Sequence, residues 1–334
     1  MAVGQYGNCI VKDMNSNLKN MTLSKHKLLN KNILFLDGLG RAGKFFLGKI
    51  IGGFIDVDYF IYNPIIEHII QLGGEGVIQE KDASALLSIY LNMSVYDYSL
   101  GRNLNTRRSD SSSIFNSFEP DFYLKRLNID EGISGVKKII KNNRYSTFMV
   151  HECTAYFNII KKTAPSSKII LIRRNPIDVA YSWYMRGWGE RFGTDPLAFR
   201  PTLGGERGIP IPVYAKNWID KYENMNKCER VVSSVLYLMK EEEINVNIYD
   251  DILPVYYENL MIDPYTTIEI ISNFLEKLPH SSISKIIEKE VRVFDFASER
   301  KNKVKILKSK MKNPILFDSL KDYEDVYCQQ QKLS

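Results

Sequence analysis

Cysteine is scarce and dispersed in this 334-residue chain: Cys9, Cys153, Cys228 and Cys328 stand far apart, with no CxxC pair among them. That spacing argues against both a disulfide framework and a zinc site. Histidine is equally thin, at four scattered positions (His26, His68, His151 and His280), so the sequence offers no local metal-ligand cluster and no metal is expected. No apolar run approaches the ~20 residues needed to span a bilayer. The opening stretch MAVGQYGNCIVKDMNSNLKN lacks the apolar core of a secretory signal, and Ala2 breaks the myristoylation pattern. A cytoplasmic, reducing location is therefore the expectation. Charge of one sign is also in short supply: a formal net charge of +6, spread along the chain, does not make a nucleic-acid-binding stripe, although it suits an anionic ligand.

What is present is a chain 44% hydrophobic and 25% charged, long enough to bury the core of one large α/β domain. Residues 1–30 are polar and read as a lead-in. Four short apolar runs follow: NILFLD (32–37), STFMVH (146–151), KIILIR (168–173) and ILPVYY (252–257). Each precedes a helical stretch, at 44–52, 153–163, 176–187 and 264–277. Such alternation predicts a three-layer α/β sandwich around a central parallel sheet, with STFMVH beside KIILIR. The main domain is expected over 31–298, with a largely helical insert at about 60–142. Within it, residues 188–212 are rich in Gly, Pro and Arg without periodicity, as expected of a lid or binding loop. A basic tail, 299–334, opens with ERKNKVKILKSKMK.

The first predicted strand runs into FLDGLGRAGKFFLGKII, residues 35–51. Gly38, Gly40 and Gly43 allow a tight turn whose N–H groups share one concavity, and a helix beginning near Lys44 adds its positive end. The spacing from Gly38 to Gly43 and Lys44 is that of a P-loop-like phosphate-binding loop, but Phe45 stands where a magnesium-binding hydroxyl is required. A second constellation is KIILIRRNPIDVAYSWY, 168–184. Asn175 and Pro176 suit a helix start, with Asp178 able to answer the cap, and Arg174 falls at a strand's carboxyl end. Ser182 lies one helical turn beyond Asp178.

This arrangement of Arg, Asn-Pro-x-Asp and a Ser eight residues after the Arg resembles the 3′-phosphate signature of the sulfotransferases. The resemblance implies that Arg174 and Ser182 hold the 3′-phosphate of 3′-phosphoadenosine 5′-phosphosulfate (PAPS). The glycine loop is then similar to the family's 5′-phosphosulfate loop, with Gly40, Arg41, Ala42, Gly43, Lys44 and Phe45 in its places and Phe46 against the adenine. Lys44 and Phe45 depart from the family's hydroxyl residues. VYYENLMIDPYTTIEIISNFLE, 255–276, resembles a third family segment, which implies Tyr257 near the adenine. Arg300 and Lys301 fall about where the family's closing Arg-Lys-Gly segment belongs, without its glycine.

Sulfuryl transfer to a hydroxyl or amine releases a proton, and the resemblance places a base at His151, at the end of STFMVH. Glu152 is the alternative or the orienting group, Glu67 with His68 is a further alternative, and Lys44 is expected to stabilise departing phosphate charge. The implied activity is metal-independent transfer from PAPS to a small-molecule or carbohydrate acceptor, by a monomer or homodimer. Trp183, Tyr184 and Trp188, with Arg186, Arg191, Arg200 and Arg207, suggest the acceptor pocket. Two other readings stay open: an ATP- and Mg²⁺-dependent small-molecule kinase, and an inactive nucleotide-binding protein.

Overall fold

The computed structural model describes residues 22–291 and 295–333, so Cys9 and residues 1–21 of the expected lead-in lie outside the described residues. Strand β1 (Ile33–Asp37) enters the core first and is buried along its whole length. The strands β2 (Ile61–Tyr62), β3 (Ser146–Met149), β4 (Lys168–Arg173) and β7 (Ile252–Tyr256) join it in one sheet of order β2-β3-β1-β4-β7, parallel throughout. The register sets Phe35 between Phe148 and Ile169, and Ile170 beside Leu253. Helices cover both faces, which is why these strands read as continuous apolar runs rather than alternating ones. One expectation is corrected here: β3 does not lie beside β4, because β1 separates them and pairs with both.

Helix α1 (Lys44–Ile51) follows β1 directly. The insert then supplies α2 (Pro64–Gly74), α3 (Glu80–Ser99), α4 (Pro120–Leu124) and α5 (Ile133–Asn142). Helix α6 (Phe157–Thr163) leads to β4, and α7 (Pro176–Met185) leaves it. Local chemistry fixes the starts of α2 and α7. Each opens with Asn-Pro, and the Asn63 and Asn175 side chains accept the Ile65 and Ile177 N–H groups at 3.1 and 3.0 Å. A short antiparallel hairpin, β5 (Thr202–Gly204) and β6 (Pro210–Pro212), closes the segment expected as an aperiodic loop.

The chain continues through α8 (Ile219–Asn224) and α9 (Lys227–Ile248) to β7, then α10 (Tyr257–Ile262), α11 (Pro264–Leu275) and α12 (Ile283–Glu290). The expected basic tail is helical: α13 (Phe296–Lys310) starts before residue 299, and α14 (Pro314–Leu333) follows. Both pack on α7, and Leu307, Leu320 and Tyr327 are fully buried. Lys301, Lys305, Lys308 and Lys310 lie on the exposed face of α13, whereas Leu307 is buried and Lys303 is turned in against α7.

Candidate active site

After Asp37 the chain turns sharply and starts α1 with no side chain capping it. Gly43 has φ 109°, and a Cβ there would lie 2.5 Å from the Tyr257 ring. Gly38 has φ 132°, and its Cβ would meet the Ile172 carbonyl oxygen at 2.2 Å. Only glycine fits either place. Arg41, also at positive φ (73°), turns its side chain outward from the loop. The loop is braced from behind: the Trp183 indole N–H donates to the Gly40 carbonyl at 2.7 Å, and Trp188 packs against Gly40. These two tryptophans, expected at the acceptor, buttress the glycine loop.

Lys44 is buried, and its ammonium donates to the Gly38 and Leu39 carbonyls, the latter at 2.9 Å. Burial lowers its pKa, while Glu152, Asp37 and Glu67 oppose that by attraction. Ala42 is buried, Phe46 packs on the core, and Phe45 is 39% exposed with its ring centre 6.0 Å from that of Phe60. An exposed phenyl ring therefore stands where a metal-binding hydroxyl would be.

Arg174 leaves β4 toward this loop. Its Nη1 donates to the Arg41 carbonyl at 3.2 Å, and its guanidinium lies 4.6 Å from the centre of the Tyr257 ring. Among the described residues its buried Nε has no hydrogen-bond partner. Ser182, on α7, accepts from Arg41 Nε at 3.3 Å. Arg186 follows one turn later on the same helix face. Burial lowers the Arg41 pKa, and the like charges of Arg186 and Arg174 lower it further. Among the described residues, no carboxylate lies within ion-pair distance of these three arginines. Three guanidinium groups thus converge without a counter-ion, and Arg41 reaches the Ser182 side rather than standing with the loop alone.

Arg300 has a different setting. It pairs with Asp178 at 3.0 Å and with Glu258 and Glu324 at 3.7 Å each, while Lys303 takes the other Asp178 oxygen at 2.8 Å. Docking of the basic helix α13 onto α7 draws Asp178 away from the cap it was expected to answer. The Asn175 N–H goes to Glu258 instead, at 3.1 Å. Lys301 is exposed.

The candidates for the base come together. His151 Nδ1 lies 2.9 Å from Glu67 Oε2, although 84 residues separate them, and Gln71 holds the His151 carbonyl at 2.8 Å. Two groups expected as alternatives therefore form one pair. Glu67 is buried beside Glu152, which pushes its carboxyl up to about 7. Burial, then the Lys44 charge, holds the imidazole well below its ordinary value. With Glu67 ionised, Nδ1 carries the proton and Nε2 is the basic nitrogen. Tyr62 packs edge-on to the imidazole, ring centres 5.6 Å apart.

Glu152 is fully buried at positive φ (57°). Its Oε1 accepts the Gly40 N–H at 3.1 Å, and its Oε2 faces Arg200 Nη2 at 2.6 Å. Burial alone would raise its pKa, but Arg200, His151 and Lys44 hold it below the usual value. Of the other arginines expected at the acceptor, Arg191 pairs with Asp195 at 2.7 Å and Arg207 donates to Asn224 at 2.5 Å. Among the described residues no group of three or more His, Cys, Asp or Glu side chains could hold a metal, and no helix is long and apolar enough to cross a membrane.

The family model for the sulfotransferase domain matches residues 157–318, nearly half of the chain. That stretch of the chain is similar to a sulfotransferase domain. The matched residues include Arg174, Ser182, Tyr257 and Arg300; the glycine loop, Glu67 and His151 precede them. No curated protein sequence matches the chain significantly. Among solved structures, the sulfotransferase domain from the Synechococcus PCC 7002 olefin synthase is 13% identical, with a TM-score of 0.39 over 90% of this chain and 91% of that one. A sulfotransferase from Alicyclobacillus acidocaldarius is 12% identical, with a TM-score of 0.36 over 83% and 94%. Retinol dehydratase, solved with androsterone and the inactive cofactor PAP, is 13% identical, with a TM-score of 0.33 over 85% and 82%.

Proposed function

We propose that the protein transfers a sulfuryl group from PAPS to a hydroxyl or amine of a small-molecule or carbohydrate acceptor, without a metal. The observation that carries this reading is the cluster of Arg41, Arg174 and Arg186 beside a glycine loop, with Ser182 bonded to Arg41 and no carboxylate partner among the described residues. The buried, unpartnered Arg174 Nε fits an anion, since a buried donor without an acceptor is costly. Arg174 and Ser182 would hold the 3′-phosphate, with Arg41 and Arg186 adding charge. The Gly40–Gly43 backbone and the start of α1 would hold the 5′-phosphosulfate, and Tyr257 and Phe46 the adenine.

PAPS, when bound, supplies the sulfuryl group and leaves as the 3′,5′-bisphosphate. Glu67 orients the imidazole of His151 through Nδ1 and stabilises the imidazolium formed when Nε2 takes the acceptor's proton. Lys44 already donates at the loop and stabilises negative charge developing there. Arg300, committed to Asp178, Glu258 and Glu324, anchors α13 to α7 and has little free charge for a phosphate.

The experiment is transfer of labelled sulfate from PAPS across a panel of hydroxyl and amine acceptors in excess EDTA. Transfer without metal supports the reading. Turnover of ATP that depends on magnesium would favour the kinase, and bisphosphate binding without transfer to any acceptor would favour the inactive nucleotide-binding protein.

A further inference from the structure

The segment joining α7 to β5 sends one arginine inward. The Arg200 side chain is 11% exposed and meets the fully buried Glu152 carboxylate at 2.6 Å. Its guanidinium lies 4.9 Å from the Phe192 ring centre and 5.7 Å from that of Tyr214. At the preceding residue, the Phe199 carbonyl sits 2.9 Å from His68 Nε2. Since Glu152 also takes the Gly40 N–H, one chain of contacts runs from this segment to the phosphate loop.

The charges around His151 balance only when Arg200 is counted. Two carboxylates, Glu67 and Glu152, face two fixed cations, Lys44 and Arg200. Tyr62 packs edge-on to the imidazole, His68 Nε2 lies 3.9 Å from Glu67, and the buried carboxyls of Asp37 and Glu242 lie within electrostatic reach of Lys44. Without Arg200 the buried group carries an uncompensated negative charge, and uptake of a proton at Glu67 or His151 is the least costly remedy.

We propose that Arg200 is a positioning residue for the reaction: by pairing with Glu152 it cancels the second carboxylate beside the His151–Glu67 pair and fastens the 186–201 segment to the phosphate loop. This rests on the function proposed above, in which His151 is the base. The directions agree. Arg200 lowers the pKa of both Glu67 and His151, whereas Glu152 raises both.

The test is the pH dependence of kcat/KM for Arg200→Gln, Arg200→Lys and the double variant Arg200→Gln with Glu152→Gln. Calorimetry with adenosine 3′,5′-bisphosphate accompanies each. Arg200→Gln should move the acidic limb upward by about one to two pH units, the size expected on losing a close opposite charge. Arg200→Lys keeps the charge and should leave the limb in place. The double variant removes both charges while the amide oxygen still accepts the Gly40 N–H, so its limb should return toward the wild-type position. An unmoved limb in Arg200→Gln, or a double variant displaced as far as the single one, would overturn the role. Should Arg200→Gln fail to fold, the other two variants carry the test: a shifted limb in either overturns it. Wild-type protein that binds no bisphosphate would overturn the proposed function itself, separately from Arg200.

Discussion

Replacing Glu67 by glutamine should stabilise the protein above neutral pH while slowing it. Glu67 is 6% exposed, and burial beside Glu152 raises its pKa from 4.5 to about 7. Between those values the folded state keeps a proton that the unfolded chain has released. Stability therefore falls as pH rises through this window, and the whole cost is present above it. The interval from 4.5 to about 7, at about 1.36 kcal/mol per pH unit, amounts to roughly 3 kcal/mol. A glutamine keeps the shape, and its carbonyl can accept from His151 Nδ1, but its amide N–H groups need acceptors. Allowing up to about 2 kcal/mol for that at any pH, Glu67→Gln should gain about 1–3 kcal/mol at about pH 8 and should lie within about 1 kcal/mol of wild type, on either side, at about pH 5, where most of wild-type Glu67 is already protonated. Low-pH loss of stability from the depressed His151 pKa occurs in both proteins and cancels to first order. Urea unfolding of both proteins at the two pH values reads the difference as a shift in midpoint. Turnover should fall, on the order of 10²-fold, because the forming imidazolium loses its carboxylate. A variant less stable than wild type by the same amount at both pH values would refute the reasoning.

Arg174→Ala should weaken adenosine 3′,5′-bisphosphate binding by about 2–3 kcal/mol, seen by calorimetry as a roughly 30- to 150-fold rise in Kd. With a hydroxyl acceptor, His151→Ala should lower turnover ~10²–10⁴-fold while leaving bisphosphate affinity nearly intact; equal affinity and unchanged turnover would remove His151 as base. Gly43→Ala puts a Cβ 2.5 Å from the Tyr257 ring at φ 109°, so it should abolish measurable bisphosphate binding, with wild-type affinity as the contrary result.

The parts of this molecule that were legible in the sequence are those written locally. The run from β1 through Gly38 and Gly43 into α1 carries its strand, turn and helix start within 19 residues, 33–51, and Asn175-Pro176 caps α7 by itself. Long-range features were not legible. The insertion of β1 between β3 and β4 depends on how crossovers order the sheet, which apolar runs do not encode. The Glu67–His151 pair needs α2 to be brought against the end of β3, and the sequence offered its members only as rivals. Arg200 stood among other arginines in an aperiodic stretch, and its burial against Glu152 has no local mark. Arg300 matched a family position by spacing, yet its carboxylate partners come from α7, α10 and α14. Trp183 and Trp188 could be read as pocket aromatics because only the fold shows them behind Gly40.

The most direct test of the central claim is calorimetric titration of the wild-type protein with adenosine 3′,5′-bisphosphate in excess EDTA, against ATP with magnesium. The cluster of Arg41, Arg174 and Arg186, with Ser182 bonded to Arg41 and no carboxylate partners among the described residues, predicts saturable, metal-independent binding of the bisphosphate, and the phenyl ring of Phe45 predicts little or no binding of ATP with magnesium. Tight binding of magnesium-ATP with no heat from the bisphosphate would contradict the account.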